Sequence, residues 1–352
     1  MWIPFKVEMK LAQPLAVGPG WRLGFVTLTR LDVPPRTFWG AFTDALTRWK
    51  MADGTNGPTI DQTNENPFRS VGTWVETNLR FLPGILVAKD GDDEKERFVP
   101  WYAFGEGEKL SVKNGGGWQP SPSAPIRKRY VFSHGSTALD YDRMKAEDAM
   151  LHETERIMPQ IRGEGEKILQ VWLETILFVK DSEVPGLKNW LSHHGKKYLR
   201  IGRDVAVGDG CFSDILPVEI DVDTIKDTRP LNNDQKVHWD LNQDKVGPII
   251  QVTPIIIEKY STGSVRLPGP FLLNANAEKN TPPELNGYWG ELRPHLVREF
   301  DVEGKKGFGR KMGYPGEGTP KWILDHGGVL AVSPEKEYNF MLERDGWTFF
   351  NE

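Results

Sequence analysis

Ile201–Phe212 reads IGRDVAVGDGCF: Gly202, Gly208 and Gly210 punctuate a β-prone run that carries Arg203 and follows Lys196, Lys197 and Arg200. Glycine reaches φ > 0 and lets the main chain approach a ligand, and successive N–H groups in such a turn form an anion-binding concavity. Beside four cations, that turn suits a phosphate ligand such as RNA. The same glycines also suit a β-hairpin whose bulge needs them for steric reasons alone. The segment by itself leaves both readings open.

Outward from this turn the chain alternates strands and helices. Downstream, Leu216–Ile220 is extended, and Tyr198–Phe212 is itself expected to be extended; upstream, Pro185–His194 predicts a short helix ending near Gly195. Ile168–Val179, Arg97–Phe104 and Asn78–Ala88 read as strands separated by solvated loops such as DGDDEKE and NGGGW. At the start, Trp2–Leu11 alternates with period two, Gly18–Gly24 is a turn and Phe25–Leu31 is extended. Pro34 and Pro35 suit a helix entry, and Phe38, Trp39, Phe42, Ala45, Leu46 and Trp49 then lie on one apolar helical face. The order β, α, β, β, α, β is the ferredoxin-like or split βαβ arrangement, which in RNA-recognition modules offers a sheet face and loops to nucleic acid. A second, shorter cycle runs through Val246–Lys259, Leu292–Phe300, Gly327–Val332 and Glu337–Leu342. The predicted fold is α+β: two ferredoxin-like (RRM-like) domains with long loop insertions and glycine-rich loops, spanning residues 1–222 and 223–352.

Two further clusters resemble the first in style. GKKGFGRKMGYPGEG, Gly304–Gly318, interleaves Lys305, Lys306, Arg310 and Lys311 with Phe308 and Tyr314, pairing phosphate contacts with stacking rings. PIRKRYVFSHGS sets Arg127, Lys128 and Arg129 before Tyr130 and Phe132. Each alone suits a solvated face; three in one acidic chain favour a polyanion partner.

At 352 residues the chain is long enough for two domains, and 38% hydrophobic with 26% charged residues is the composition of a folded protein. A net charge of −5 argues against a generic nucleic-acid coater but permits a basic groove on an acidic body. Cys211 is the single cysteine, which excludes an internal disulfide and a cysteine-rich zinc site and fits a reducing compartment. MWIPFKVEMKLAQPL lacks the pattern of a secretion signal, and no apolar run approaches the roughly 18 residues of a membrane span. A cytoplasmic protein without membrane attachment and without a cofactor is expected. GxxxxGK[ST], HExxH, CxxC and GxSxG are missing from the sequence, so nucleotide hydrolysis, zinc peptidase and serine hydrolase chemistry have no support in it.

Four islands together resemble the RAMP superfamily of CRISPR-associated proteins: PLAVG…VPPRTFWGAFTDAL, ALDYDRMKAEDAMLHETERIMP, LRIGRDVAVGDGCF and LDHGGVLAV. Within it they are most similar to the subunit of type III effector complexes that grips the 5′ handle of the guide RNA, with residues 221–283 outside the match. Thr37, Trp39, Gly40 and Ala41 fill the family's helix-opening pattern, whereas Pro35 and Arg36 stand where the family often has Ser and Asp. Asp142 and Arg143 match its Asp-Arg pair; Gly202, Gly208, Gly210 and Phe212 match its Ile-Gly and Gly-x-Gly-aromatic signature; Gly328 takes the place of a serine. The resemblance implies binding rather than catalysis, no metal, and partners that comprise guide RNA (crRNA), the large polymerase-like subunit and the backbone RAMP subunits. The RNA contacts implied are Lys196, Lys197, Arg200, Arg203, Lys305, Lys306, Arg310 and Lys311 to phosphates, Phe308 and Tyr314 to bases, then Arg127 and Arg129.

Rival readings keep distinct signatures. Guide-processing relatives cut RNA by acid–base work with a histidine, for which His134 and His326, each beside a glycine, are the candidates. Backbone relatives cut target RNA with a loop aspartate, near whose place Asp32 lies without the flanking pattern. A carbohydrate- or protein-binding module would instead use tryptophans such as Trp101, Trp118 and Trp289, without clustered cations. Trp74 and Trp322 are candidate interface residues.

Overall fold

In a computed structural model, the described residues are 1–18, 26–52, 54–61, 66–102, 108–113, 118–136, 139–140, 145–146, 152–202, 208–229, 235–242, 246–257, 262–273, 287–289, 292–294, 297–299, 311–313, 322–324, 326 and 328–350. They form a mixed α+β protein in which strands outweigh helices.

The first half is built on strands β1 (Trp2–Leu11), β2 (Gly84–Asp90), β3 (Asp93–Tyr102), β4 (Glu108–Lys113) and β5 (Trp118–Ser121), with helices α1 (Pro35–Met51), α2 (Pro67–Asn78) and α3 (Ser123–Tyr130). Strands β6 (Val131–Ser136), β7 (His152–Ile157), β8 (Ile168–Lys180) and β9 (Phe212–Glu219) follow, with α4 (Val184–Trp190) between β8 and β9 and α5 (Val222–Thr228) after them. The main sheet runs β9-β1-β8-β2-β3-β4-β5, each neighbouring pair antiparallel. Strands β1, β2, β8 and β9, with α1 and α4 between them, thus follow the chain order β, α, β, β, α, β in the spatial order fourth, first, third, second.

The alternation in β1 explains its two faces. Phe5, Val7, Met9 and Leu11 are buried against the helices, and Lys6, Glu8 and Lys10 take the other face. Central β8 is buried on both sides: Leu169, Val171, Leu173, Leu177 and Val179 join the helical core, while Ile176 and Phe178 join a second core on the far side. The aromatic stripe of α1 packs as its spacing predicts, with Phe38 and Phe42 against Phe81 at centroid distances of 5.6 and 5.0 Å.

Several local expectations are corrected. Asn78–Ala88 is broken at Leu82–Pro83, giving Leu79–Phe81 on β8 and then β2. Helices α2 and α3 occupy sequence without a strong apolar stripe; Asn66 caps α2 by accepting a bond from the Phe68 N–H, and Pro67 opens it. The helix predicted at Pro185–His194 is longer: α4 continues through a π turn at Leu191–Gly195 into a last turn at Lys196–Tyr198, so the described residues between Tyr198 and Cys211 form no strand and β9 begins only at Phe212.

After Thr228 the described residues contain strands and no helix. One sheet orders Val237–Asp240, Ile249–Val252, Tyr338–Leu342, Trp347–Phe349, Phe271–Leu273, Trp322–Leu324 and Leu292–Pro294, and a second joins Ile255–Ile257, Thr262–Arg266, Val329–Val332 and Gly287–Trp289. Their core includes Ile250, Val265, Phe340 and Trp347 together with Trp2, Ile176 and Phe178 from the main sheet. Polar ties reinforce it. Buried Glu174 receives Arg97 at 2.9 Å and Arg229 at 3.2 Å, and Arg80 donates to the carbonyls of Val246 at 2.7 Å and Leu342 at 3.2 Å.

Among the described residues one edge of the main sheet is β9 and the other is β5. The Ile220 N–H bonds inward to Pro4, so the alternate residues Ile215 and Pro217 turn their nitrogens outward. The Ile215 N–H is taken by the Asp214 carboxylate at 3.0 Å, and Pro217 has no N–H to offer.

Candidate nucleic-acid interface

The glycine turn closes on itself and on the segment after β1. The Ile201 N–H donates to Gly210 O at 3.1 Å, the Gly210 N–H to Pro14 O at 2.7 Å and the Ala12 N–H to Cys211 O at 2.9 Å. The Cys211 thiol donates to Gly208 O at 2.8 Å. Gly202 (φ +102°) and Gly210 (φ +67°) are required by crowding: a Cβ would stand 2.4 Å from Ala16 O and 1.8 Å from Ile201 O respectively. Both therefore answer to the steric reading of the motif. Gly208 (φ +102°) differs, since a Cβ there meets none of the described residues within 4 Å.

Electrostatics favour an anion at this turn. Asp209, the acid between Gly208 and Gly210, is buried and its carboxylate lies 2.9 Å from Arg156 Nε on β7. Its charge is thereby compensated internally. Lys196 and Lys197 stand exposed on the last helical turn before the glycine turn, with the Lys197 ammonium 5.0 Å from the Tyr198 ring. Arg200 folds back, donating to Lys196 O at 3.1 Å and Leu199 O at 2.8 Å.

Other predicted contacts are placed differently. Phe212 is 4% exposed and belongs to the helical core. Arg127 pairs with Glu155 and donates to Thr29 O at 3.1 Å; Arg129 pairs with Glu96 and lies 5.4 Å from the Tyr130 ring. Both guanidiniums thus bind carboxylates of neighbouring strands, far off in sequence, which is why a local reading groups them with free cations. Burial, with the Glu96 carboxylate beside it, pushes the Tyr130 hydroxyl well above its ordinary range. Arg203, Lys305, Lys306, Phe308, Arg310, Tyr314 and the pair Asp142–Arg143 lie outside the described residues. Lys311 opens the short strand Lys311–Gly313, which pairs with Val297–Glu299. Trp322 is exposed and Trp74 half-buried.

Sequence reasoning treats Asp32 and His326 separately, and the structure brings them together. Asp32 receives Arg30 at 2.9 Å from both Nε and Nη2, and His326 Nδ1 lies 3.8 Å from its carboxylate. Burial alone would push the Asp32 carboxyl up; Arg30 and His326 outweigh it and hold the group well below the usual carboxylate range. Asp32 and His326 are 4% and 3% exposed, so neither reaches solvent in this structure. His134 is exposed on β6. Among the described residues no cluster of three or more His, Cys, Asp or Glu could hold a metal, and no helix is long and apolar enough to cross a membrane.

No protein-family model matches the chain, and no curated protein matches it. Among solved structures it is similar to a chain of the type III-B Cmr-beta complex bound to cognate target RNA and AMPPnP, with TM-score 0.46 and 10% identity over 93% of this chain and 86% of that one. A chain of the same complex bound to cognate target RNA gives 0.44 and 12% over the same shares, and one from the apo state 0.35 and 11% over 63% and 98%. Similarities at these scores and identities transfer no role to this chain.

Proposed function

We propose that the chain is an RNA-binding protein of the RAMP kind, with residues 1–222 as a ferredoxin-like domain carrying long insertions and 223–352 as a smaller second domain. Within that class, its role is to cap the 5′ handle of a crRNA in a cytoplasmic type III CRISPR effector, beside the large polymerase-like subunit and the backbone subunits, binding RNA without cutting it. The observation that carries the reading is the glycine turn: a backbone held against Pro14, Ala16 and Ile201, its Asp209 carboxylate beside Arg156, and two exposed lysines leading into it. That arrangement sets exposed cations beside a fixed turn, as a phosphodiester backbone requires. The sequence islands supply the specific role, and the strand order fourth, first, third, second is the one a ferredoxin-like unit requires.

The test is binding of the purified chain to labelled guide RNA with and without its 5′ handle across a salt series. Handle-dependent binding with the RNA left intact is expected. Cleavage of the RNA would instead identify a processing nuclease, and indifference to the handle would end the capping reading.

A further inference from the structure

Strand β9 carries the apolar run Ile215–Val218 yet lies at an edge of the main sheet. Ile215 and Pro217 stand opposite Met9 and Val7, on the face that holds the helical core. Leu216 and Val218, opposite Glu8 and Lys6, take the other face and are 40% and 47% exposed. An apolar side chain exposed singly needs no explanation, but a strand apolar on both faces has the pattern of one covered on both, as β8 is. On the helical side Pro217 also borders an apolar groove with Phe5, Val179, Leu187 and Leu191. Between the two faces Asp214 takes the Ile215 N–H and Pro217 has none, so Ile215–Pro217 offers no free main-chain donor.

Charge narrows what could cover this border. Asp214, Glu219 and Asp221 are exposed along β9 and just past it, and Asp181 is exposed on the turn after β8. Lys6, beside Val218, is already paired with Glu8 at 3.3 Å, and exposed Lys188 lines the groove itself, so the acidic bias is carried by β9 and the turns beside it. An acidic border repels the phosphates of RNA. Two copies of this chain meeting here across a twofold axis would set acid against acid. A protein surface of opposite charge fits.

Resting on the effector-subunit reading above, we infer that the β9 border is a protein docking surface, on which Leu216 and Val218 receive apolar side chains of a neighbouring subunit that surrounds them with Lys and Arg. The apolar pair supplies the desolvated centre of the contact, and the acids supply rate and orientation. The neighbour packs by side chains and does not extend the sheet along Ile215–Pro217.

The experiment mixes the full chain with guide RNA, the large polymerase-like subunit and the backbone subunit, and measures each affinity by analytical ultracentrifugation. The double variant Leu216→Thr, Val218→Thr keeps strand-forming residues at exposed positions and should melt with the parent. It should bind one subunit at least about tenfold more weakly and keep the parent's salt slope for RNA. Glu219→Lys with Asp221→Lys should slow association of that same subunit and flatten its salt dependence; an unchanged rate would overturn the basic surround. Unchanged affinities in the threonine variant, while the parent assembles, overturn the docking surface and leave the effector reading standing. A fall in its RNA affinity would assign the border to nucleic acid, and a parent dimer that it abolishes would assign the border to a second copy; either overturns the inference. A parent that binds neither subunit overturns the effector reading and the docking surface with it.

Discussion

His326 Nδ1 lies 3.8 Å from the Asp32 carboxylate, joining the strand that enters the first helix to the late part of the chain. With Arg30 on its other side, Asp32 is a buried carboxylate whose ionised form the fold requires.

Its pH signature follows from the direction of its shift. A carboxyl held below its ordinary value contributes stability that is fully present above about pH 4 and is lost as pH falls toward its folded value. Asp32→Asn should cost about 3 kcal/mol at pH 7, as expected when one partner of a buried pair is removed, and the gap should narrow below about pH 4. Urea midpoints of both proteins between pH 3 and pH 7 check this. Parallel curves throughout would mean that Asp32 is not charged in the fold.

Gly210 and Gly208 of the turn should separate sharply. Gly210→Ala forces a Cβ onto Ile201 O at 1.8 Å and a left-handed φ, so it should destabilise the fold by more than the roughly 1–3 kcal/mol that strain alone costs. Gly208→Ala meets none of the described residues, which leaves the conformational term, about 1 kcal/mol. Thermal melting ranks them; equal losses would mean that crowding does not set Gly210 apart.

Arg127→Ala and Arg129→Ala should lower melting temperature while leaving the salt slope of RNA binding unchanged, because each guanidinium already holds a carboxylate. A slope change at unaltered stability would return them to the phosphate contacts.

Glu174→Gln should be among the most damaging single changes. Arg97 keeps its pair with Glu94 at 2.7 Å, but Arg229 is stranded in a site where burial pushes it down to about 10 even with Glu174 opposing that shift, and about 3–5 kcal/mol is the usual cost of leaving a buried charge unpaired. Chemical denaturation checks the size of the loss.

What could be read from residues alone was periodic. The alternation of Trp2–Leu11, the apolar face from Phe38 to Trp49 and the long run Ile168–Val179 all appear as elements, because burial on one or two faces writes itself into spacing. The glycine turn was legible as a turn, but not that Gly202 and Gly210 are held by crowding against backbone from Ala16 and Ile201, contacts that depend on the whole fold. Helix α3 stayed hidden because it is mostly polar and is held by Ile126 and Tyr130 in the core. The fates of Arg127, Arg129, Asp32 and Phe212 were set by partners distant along the chain, which no local pattern announces.

The blunted edge at β9 has a practical consequence. With the Ile215 donor occupied by its own neighbour and Pro217 unable to donate, the stretch Ile215–Pro217 offers no free main-chain donor to a further strand. In a concentrated solution that stretch is thereby a poor template for edge-to-edge growth into fibrils, and a neighbour settling on it meets carbonyls and side chains rather than a full ladder of main-chain partners.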